Sequence, residues 1–296
     1  MKTPNLRQIA LINQKGGVGK TTSTTNLGAC LAHLGKRVLL IDLDPQANLS
    51  IHLGIDVYSL PATMYDILVN DLPMADVVQH DVRERLDVVP SHIDLSGVEV
   101  ELAAAVGRER LLKESIDRYL ASCDVAYDYV LVNCPPSLGI LSMNAMTAAR
   151  EIFVPIQSEF FALQGMSKLI DVVDLVRRRI NGLLRVTGVV VCMVDMRKNL
   201  AREVVEEIRE YFGERVFQAM IRSNVALAEA PSHGMSIVEY APRSYGAEDY
   251  LALAEEVIAQ TEPRENKDED SRVSGQADLR PVPDSDTSRQ SRPDGG

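Results

Sequence analysis

The sequence predicts an α/β fold built on a doubly wound, mostly parallel sheet flanked by helices. Two observations predict it. Short apolar runs alternate with longer segments of helical period from the start to about residue 260, which is the sequence form of successive βαβ units. A glycine-rich run, NQKGGVGKTT at 13–22, falls between the first apolar run and the first helical segment, the context of a phosphate-binding loop.

Taken in chain order, strands are expected at Gln8 to Asn13, Arg37 to Leu43, Leu86 to Val89, Tyr129 to Asn133, Ile152 to Pro155 and Val186 to Val194. Each is a short apolar run. Between them, apolar residues recur at helical spacing over Lys20 to Leu34, Arg108 to Ala121, Leu138 to Ala149, Leu163 to Asn181, Leu200 to Phe212 and Ala247 to Gln260. In the fourth of these, Leu169, Val172, Val173 and Val176 mark a face packed on the sheet rather than a membrane device. One folded domain is expected over 1–260. From 261 to 296 the chain turns acidic and rich in Ser, Pro and Asp, with almost no apolar residues, and disorder is expected there.

A hydrophobic content of 46% over 296 residues is ample for a buried core. A formal charge of -11 argues against wholesale attraction to nucleic acid and leaves room only for a local basic patch. The amino terminus lacks the apolar stretch of a signal peptide, and no run approaches a membrane span, so a cytoplasmic protein is expected. Cys30, Cys123, Cys134 and Cys192 are scattered in apolar contexts without metal-ligand spacing and read as buried free thiols.

In the glycine run, Lys15, Gly16, Gly17, Val18, Gly19, Lys20, Thr21 and Thr22 are the candidate nucleotide-binding residues. Glycines let backbone N–H groups converge on phosphate oxygens, and the helix that follows presents its positive end to them. Lys20 is placed to reach the β and γ phosphates of ATP, and the Thr21 hydroxyl to ligate Mg²⁺. The ordinary spacing wants glycine at position 14, where this chain has Gln14, and it adds a second lysine, Lys15.

KGGVGKTT, followed by LLIDLDPQANLS at 39–50, resembles the deviant Walker A ATPases, and within them the ParA/Soj partitioning proteins. The resemblance continues through YDYVLVNCPPSLGIL at 127–141, PIQSEFFALQGMSKL at 155–169, MRKNLAREVVEEI at 196–208 and NVALAEAPSHG at 224–234. It implies a P-loop NTPase fold and a Mg²⁺-dependent ATPase that dimerises on ATP. The dimer is implied to bind DNA without sequence preference, in association with the nucleoid, and to be stimulated to hydrolyse ATP by a ParB-like partner. In such a dimer Lys15 reaches across to the partner's phosphates. Lys15, Lys20 and Asp44 are then the implied catalytic residues.

Asp42 and Asp44 fall at the carboxyl end of the second expected strand, the edge where open α/β sheets bind ligands. By resemblance Asp44 orients the attacking water, and Asp42 stands near the Mg²⁺ shell. Where the family's Walker B strand ends in Asp, this chain has Asn133, which keeps an acceptor oxygen for a water of the Mg²⁺ shell but carries no charge. Weaker Mg²⁺ retention or slower turnover is the expected consequence.

Arg177, Arg178 and Arg179 are grouped in one helix, and Arg197, Lys198 and Arg202 lie close together. Arg197 matches a basic position of the family motif and leads the DNA-binding candidates, with Lys198, Arg202 and Arg222. Ala226 stands where the family has an arginine tied to DNA binding, and Ala241 and Tyr245 replace two further charged positions. Two other readings stay open: an ATP-binding protein with weakened turnover, and an ATPase that positions some cargo other than DNA. His233 has no neighbouring nucleophile or second histidine and reads as structural. The basic amphipathic helix with which division-site relatives reach membranes is absent from the acidic end of this chain.

Overall fold

Strands β2 (Val38–Asp42, VLLID) and β5 (Tyr129–Asn133, YVLVN) are buried at every position. Runs of that kind fit only inside a sheet covered on both faces. In the computed structural model, which describes residues 6–159, 163 and 165–260, they sit near the middle of such a sheet. The remaining strands are β1 (Arg7–Leu11), β3 (Gln79–Arg83), β4 (Leu86–Val89), β6 (Glu151–Gln157) and β7 (Arg185–Cys192). Their spatial order is β3-β4-β2-β5-β1-β6-β7. Every pairing is parallel except that of β3 with β4.

Side chains alternate across this sheet and feed two cores. Leu39, Ile41, Val130 and Val132 pack on one face with α5 (Leu111–Ser122) and α7 (Met166–Arg179), through Leu112, Ile116, Leu169 and Val176. Val38, Leu40, Tyr129 and Leu131 point the other way, onto α1 (Lys20–His33) and α11 (Tyr245–Ala259), meeting Leu27, Leu31, Leu253 and Val257. Helix α1 lies so close to the sheet that a Cβ on Gly28 would stand 2.6 Å from a methyl of Leu40. Helices α6 (Ile140–Ala148) and α8 (Asn199–Phe212) complete the outer layer on the first face.

The end of α11 is tied to the sheet through Arg7, which is buried and donates to Glu151 Oε1 at 2.8 Å, to the Val257 carbonyl at 2.6 Å and to Gln260 Oε1 at 2.9 Å. Residues 261–296, expected to be disordered, lie outside the described residues, as do 160–162 and 164 of the resemblance motif at 155–169.

Six strands fall where the sequence places them, with ends displaced by one or two residues: β6 is longer at both ends than Ile152 to Pro155, and β7 stops at Cys192 rather than Val194. The expected helix from Leu163 begins as a helix only at Met166. Strand β3 was not expected. Its residues, QHDVR, show no buried face, and it is held instead by Asp81 N, which donates to the buried Asp87 of β4 at 2.8 Å. Five short helices also escape sequence reading: α2 (Asn48–His52), α3 (Met64–Val69), α4 (Val98–Glu101), α9 (Val225–Glu229) and α10 (Ile237–Tyr240). None spans enough turns to display a period.

Candidate functional site

The register of three strands sets the site. Asn133 at the end of β5 is paired with Leu11 on one side and with Asp42 on the other. The loop that leaves β1 therefore emerges beside the ends of β2 and β5, at the carboxyl edge of the sheet.

Asn13 anchors that loop. Its Nδ2 donates to the Pro155 carbonyl at 2.7 Å, and its Oδ1 accepts from Lys15 N at 3.0 Å. Gly17 and Gly19 then take φ of 73° and 94°, left-handed values that favour glycine. Among the described residues, the N–H groups of Gly16, Gly17, Val18 and Gly19 donate to no protein acceptor, so four donors stand together at the amino end of a 14-residue helix. That is a cradle for an anion. Val18 is buried and holds the loop against the core, while Gly16 and Gly17 leave open space where a side chain would be. Lys20 is 7% exposed, and its Nζ curls back to donate to the Lys15 carbonyl at 3.1 Å. Burial lowers its pKa, and the charge of Asp44 opposes that shift. Thr21 and Thr22 follow, half-buried, in the first turn of α1.

Asp42 is fully buried and saturated: Oδ1 accepts from Asn133 Nδ2 at 2.9 Å and from Asp44 N at 3.3 Å, and Oδ2 from Ser50 N at 3.1 Å and Ser50 Oγ at 2.9 Å. Burial still pushes its pKa up to about 6 against those donors. Asp44, two residues on, accepts from Gln46 N at 3.0 Å. Asn133 Oδ1 is a buried acceptor without a protein partner among the described residues. An orphaned oxygen beside a carboxylate, at the sheet edge from which the loop with its unused N–H donors emerges, fits a hydrated Mg²⁺ carried on a triphosphate.

Lys15 is not turned into its own cradle. It is exposed and pairs with Glu159 Oε2 at 3.0 Å, while Glu159 Oε1 accepts from Gln157 Nε2 at 2.7 Å. Next to Gly19 and Thr22 opens a cavity of about 230 Å³, walled by Cys192, Met193, Arg222 and Asn224 among others. No sequence motif announced it. It forms because an isolated bridge pairs Val194 with Arg222, bringing the end of β7 against residues 221–228.

A family model described as an AAA domain matches residues 6–186. The sporulation initiation inhibitor protein Soj of Bacillus subtilis (strain 168) is 48% identical over 251 residues, which is 85% of this chain and 98% of that protein. The chain belongs to the ParA/Soj family. The chromosome partitioning protein ParA of Caulobacter vibrioides (strain NA1000 / CB15N) is 44% identical over 90% of this chain and 99% of its own length. Among solved structures, cobyrinic acid a,c-diamide synthase from Mycobacterium smegmatis with bound ADP and magnesium superposes with a TM-score of 0.74 at 31% identity, covering 86% of this chain and 94% of that one.

For a ParA/Soj chain the basic residues deserve separate placement. Arg197, Lys198 and Arg202 are exposed in the turn after β7 and the first turn of α8. Arg197 is 90% exposed and chelates Asp195, Nε to Oδ1 at 2.8 Å and Nη2 to Oδ2 at 2.9 Å, which holds the Asp195 carboxyl down at about 2. Arg202 donates to Asn199. Arg177, Arg178 and Arg179 end α7, which runs back from the carboxyl edge, so they lie at the opposite end of the sheet from Arg197. The two groups do not form one stripe on one chain.

Arg222 departs from the role expected of it. Its guanidinium is bound by Asp249 and Glu248 and stacks 4.2 Å from the Tyr245 ring. Two carboxylates over-compensate one cation, so Arg222 adds no positive field for a phosphate backbone. Cys30, Cys134 and Cys192 are buried free thiols as expected, whereas Cys123 is half-buried at the end of α5. His233 stacks on Tyr240 at 4.8 Å, a packing role. Among the described residues no helix is long and apolar enough to cross a membrane.

Proposed function

We propose that the chain is a Mg²⁺-ATP-dependent switch: ATP closes two copies face to face, the dimer holds DNA without sequence preference, and hydrolysis stimulated by a ParB-like partner releases it. On this reading the ATP-bound form associates with the nucleoid. The observation that carries it is the convergence at one sheet edge of the 15–22 cradle with Asp42, Asp44 and Asn133. The names of the Bacillus and Caulobacter relatives support the partitioning role.

Each residue has a task that its placement suits. The N–H groups of 16–19 and the amino end of α1 hold the phosphate chain, and Lys20 exchanges the Lys15 carbonyl for phosphate oxygens. The Thr21 hydroxyl and the Asn133 oxygen are the groups that would hold the hydrated cation, and Asp42, its oxygens taken by Asn133, Asp44 and Ser50, would supply negative charge beside it. When bound, Mg²⁺ neutralises charge on the phosphate oxygens. Asp44, kept at the mouth of the site by Gln46 N, orients the water that attacks. Lys15 leaves Glu159 to reach the partner copy's phosphates, adding a cation that a buried triphosphate needs. Arg197, Lys198 and Arg202 supply the DNA-facing charge, and doubling them in the dimer offsets their small number.

Asn133 favours a second reading, in which ATP is bound and turnover is weak, because Asp42 is then the lone carboxylate of the strand ends next to the cation. Retention of random duplex on a sensor surface, with ATP, ADP or no nucleotide, tests the switch. ATP-dependent retention that Asp44→Ala prolongs is the expected result. Equal retention in all three conditions, or rapid release by Asp44→Ala, would refute it.

A further inference from the structure

The amino edge of the sheet, opposite the nucleotide cradle, gathers arginines from two separate turns. Arg150 leads into β6 and Arg185 opens β7, and Arg185 N donates to the Arg150 carbonyl at 3.0 Å. Asn181 pins the turn after α7 to the same place: its Nδ2 donates to the carbonyls of Met146, Thr147 and Ala149 at 2.9, 3.2 and 2.6 Å. Arg178 and Arg179, at the end of α7, are therefore held at the same edge as Arg150 and Arg185. Arg150, Arg178 and Arg179 are exposed and Arg185 is half-buried. Among the described residues, none of these four side chains pairs with a carboxylate or another acceptor. Acids close to them in the chain are engaged elsewhere, since Glu151 holds Arg7 and accepts from Thr187 Oγ1 at 2.7 Å, and Asp174 pairs with Arg177 at 3.3 Å.

Two leucines stand out from this edge. Leu175 is 51% exposed and shares the outward face of α7 with Arg178 and Arg179, because Leu169, Val173 and Val176 turn the opposite face into the core. Leu183 is 59% exposed beside the fully buried Leu184, in a turn that Asn181 Oδ1 fixes by accepting from Leu183 N at 3.3 Å. The negative end of the α7 dipole favours cations and accounts in part for Arg178 and Arg179, but not for Arg150, Arg185 or the leucines. In a chain of formal charge -11 the result is a local field of the opposite sign with apolar surface next to it. A duplex would use the arginines and gain nothing from the leucines, since its backbone is recognised through phosphate oxygens and sugar. An acidic segment with apolar anchors uses both, and arginine is enriched where proteins bind one another.

We propose that Arg150, Arg178, Arg179 and Arg185, with Leu175 and Leu183, form a docking surface for an acidic amphipathic helix of a partner protein. Carboxylates of the partner supply the counter-charges that this chain withholds, and its apolar anchors cover the leucines. The surface shares no residue with 15–22, Asp42, Asp44 or Asn133, so docking there does not compete with nucleotide.

The test uses the full chain and a fluorescein-labelled helical peptide, rich in glutamate with leucines at i, i+3, i+4 and i+7, read by anisotropy at low and high salt. A glutamate and serine peptide of the same charge and a random duplex are the comparison probes. The parent is expected to bind the leucine peptide with a dissociation constant on the order of 10–100 µM, weakening as salt rises. Arg178→Glu combined with Arg179→Glu should weaken it at least about tenfold, and Leu183→Ser about threefold, each with an unchanged melting temperature. Arg110→Glu, an exposed arginine before α5, should leave binding within about twofold. Equal binding of the serine peptide, or leucine-peptide binding that the double reversal leaves intact, would overturn the inference. No binding of the leucine peptide at millimolar concentration would overturn it as well. Duplex binding that falls in the double reversal, in a parent that prefers duplex to peptide, would make the edge a nucleic-acid surface instead. Self-association of the parent that the double reversal abolishes would make it a contact between copies, and either result overturns the proposal.

Discussion

Replacing Asn133 with aspartate restores the residue that the resemblance leads one to expect, yet the structure predicts a less stable protein when no cation is present. Asn133 Nδ2 donates to Asp42 Oδ1 at 2.9 Å inside a fully buried site. Asn133→Asp removes that charge-assisted hydrogen bond, worth ~1.5–3 kcal/mol, and leaves two carboxylates in contact. At an effective dielectric constant of ~20, like charges about 4 Å apart repel by roughly 4 kcal/mol. Sharing one proton between the pair caps the combined cost, and about 3 kcal/mol is a working figure. For a domain of this size each kcal/mol moves the melting temperature by ~2–4 °C, so a drop of roughly 6–12 °C is expected. Thermal unfolding of the two proteins in EDTA measures it, and saturating MgATP should close most of the gap because a bound cation would offset the two negative charges. A variant that melts within about 2 °C of the parent in EDTA would refute the reasoning.

Three further outcomes are expected. Glu159→Gln frees Lys15 from an exposed ion pair; such a pair contributes at most ~1 kcal/mol and two are released per dimer, so ATP-dependent dimerisation should tighten by no more than about thirtyfold, which analytical ultracentrifugation resolves. Arg197→Ala should weaken binding to all duplex sequences alike and reduce the salt slope of log K by about 1, measured by fluorescence anisotropy at several salt concentrations. Buried His52 has its pKa lowered from 6.5 to about 4, so the unfolded chain binds the proton first as pH falls. Stability is therefore lost between pH 6.5 and about 4, by about 3 kcal/mol in all, and urea titrations of His52→Gln over that window should show a shallower fall.

Much of this was legible in the sequence because it is local. VLLID and YVLVN carry no polar face and can only be covered strands, and the glycine spacing of 16–19 fixes a loop whose φ values no other residue type suits as well. Asp42 and Asp44 fall at a strand end for the same reason. What could not be read depends on distant partners. The Lys15 to Glu159 ion pair joins residues 144 positions apart, and the cavity next to Gly19 and Thr22 exists only because Val194 pairs with Arg222. Arg222 looked like a free cation, since nothing in its neighbourhood of the chain points to Glu248 and Asp249. Strand β3 was hidden because a buried aspartate, not an apolar alternation, holds it in place.

The central claim is that the edge formed by residues 15–22, Asp42, Asp44 and Asn133 binds MgATP and turns it over. Single-turnover hydrolysis of labelled ATP, with duplex DNA present, on the parent and on Asp44→Ala measures this directly. Slow hydrolysis in the parent, and its loss in Asp44→Ala with ATP affinity kept within about threefold, is the predicted result, since Asp44 orients water rather than holding phosphate. Hydrolysis at the parent's rate in Asp44→Ala would contradict it.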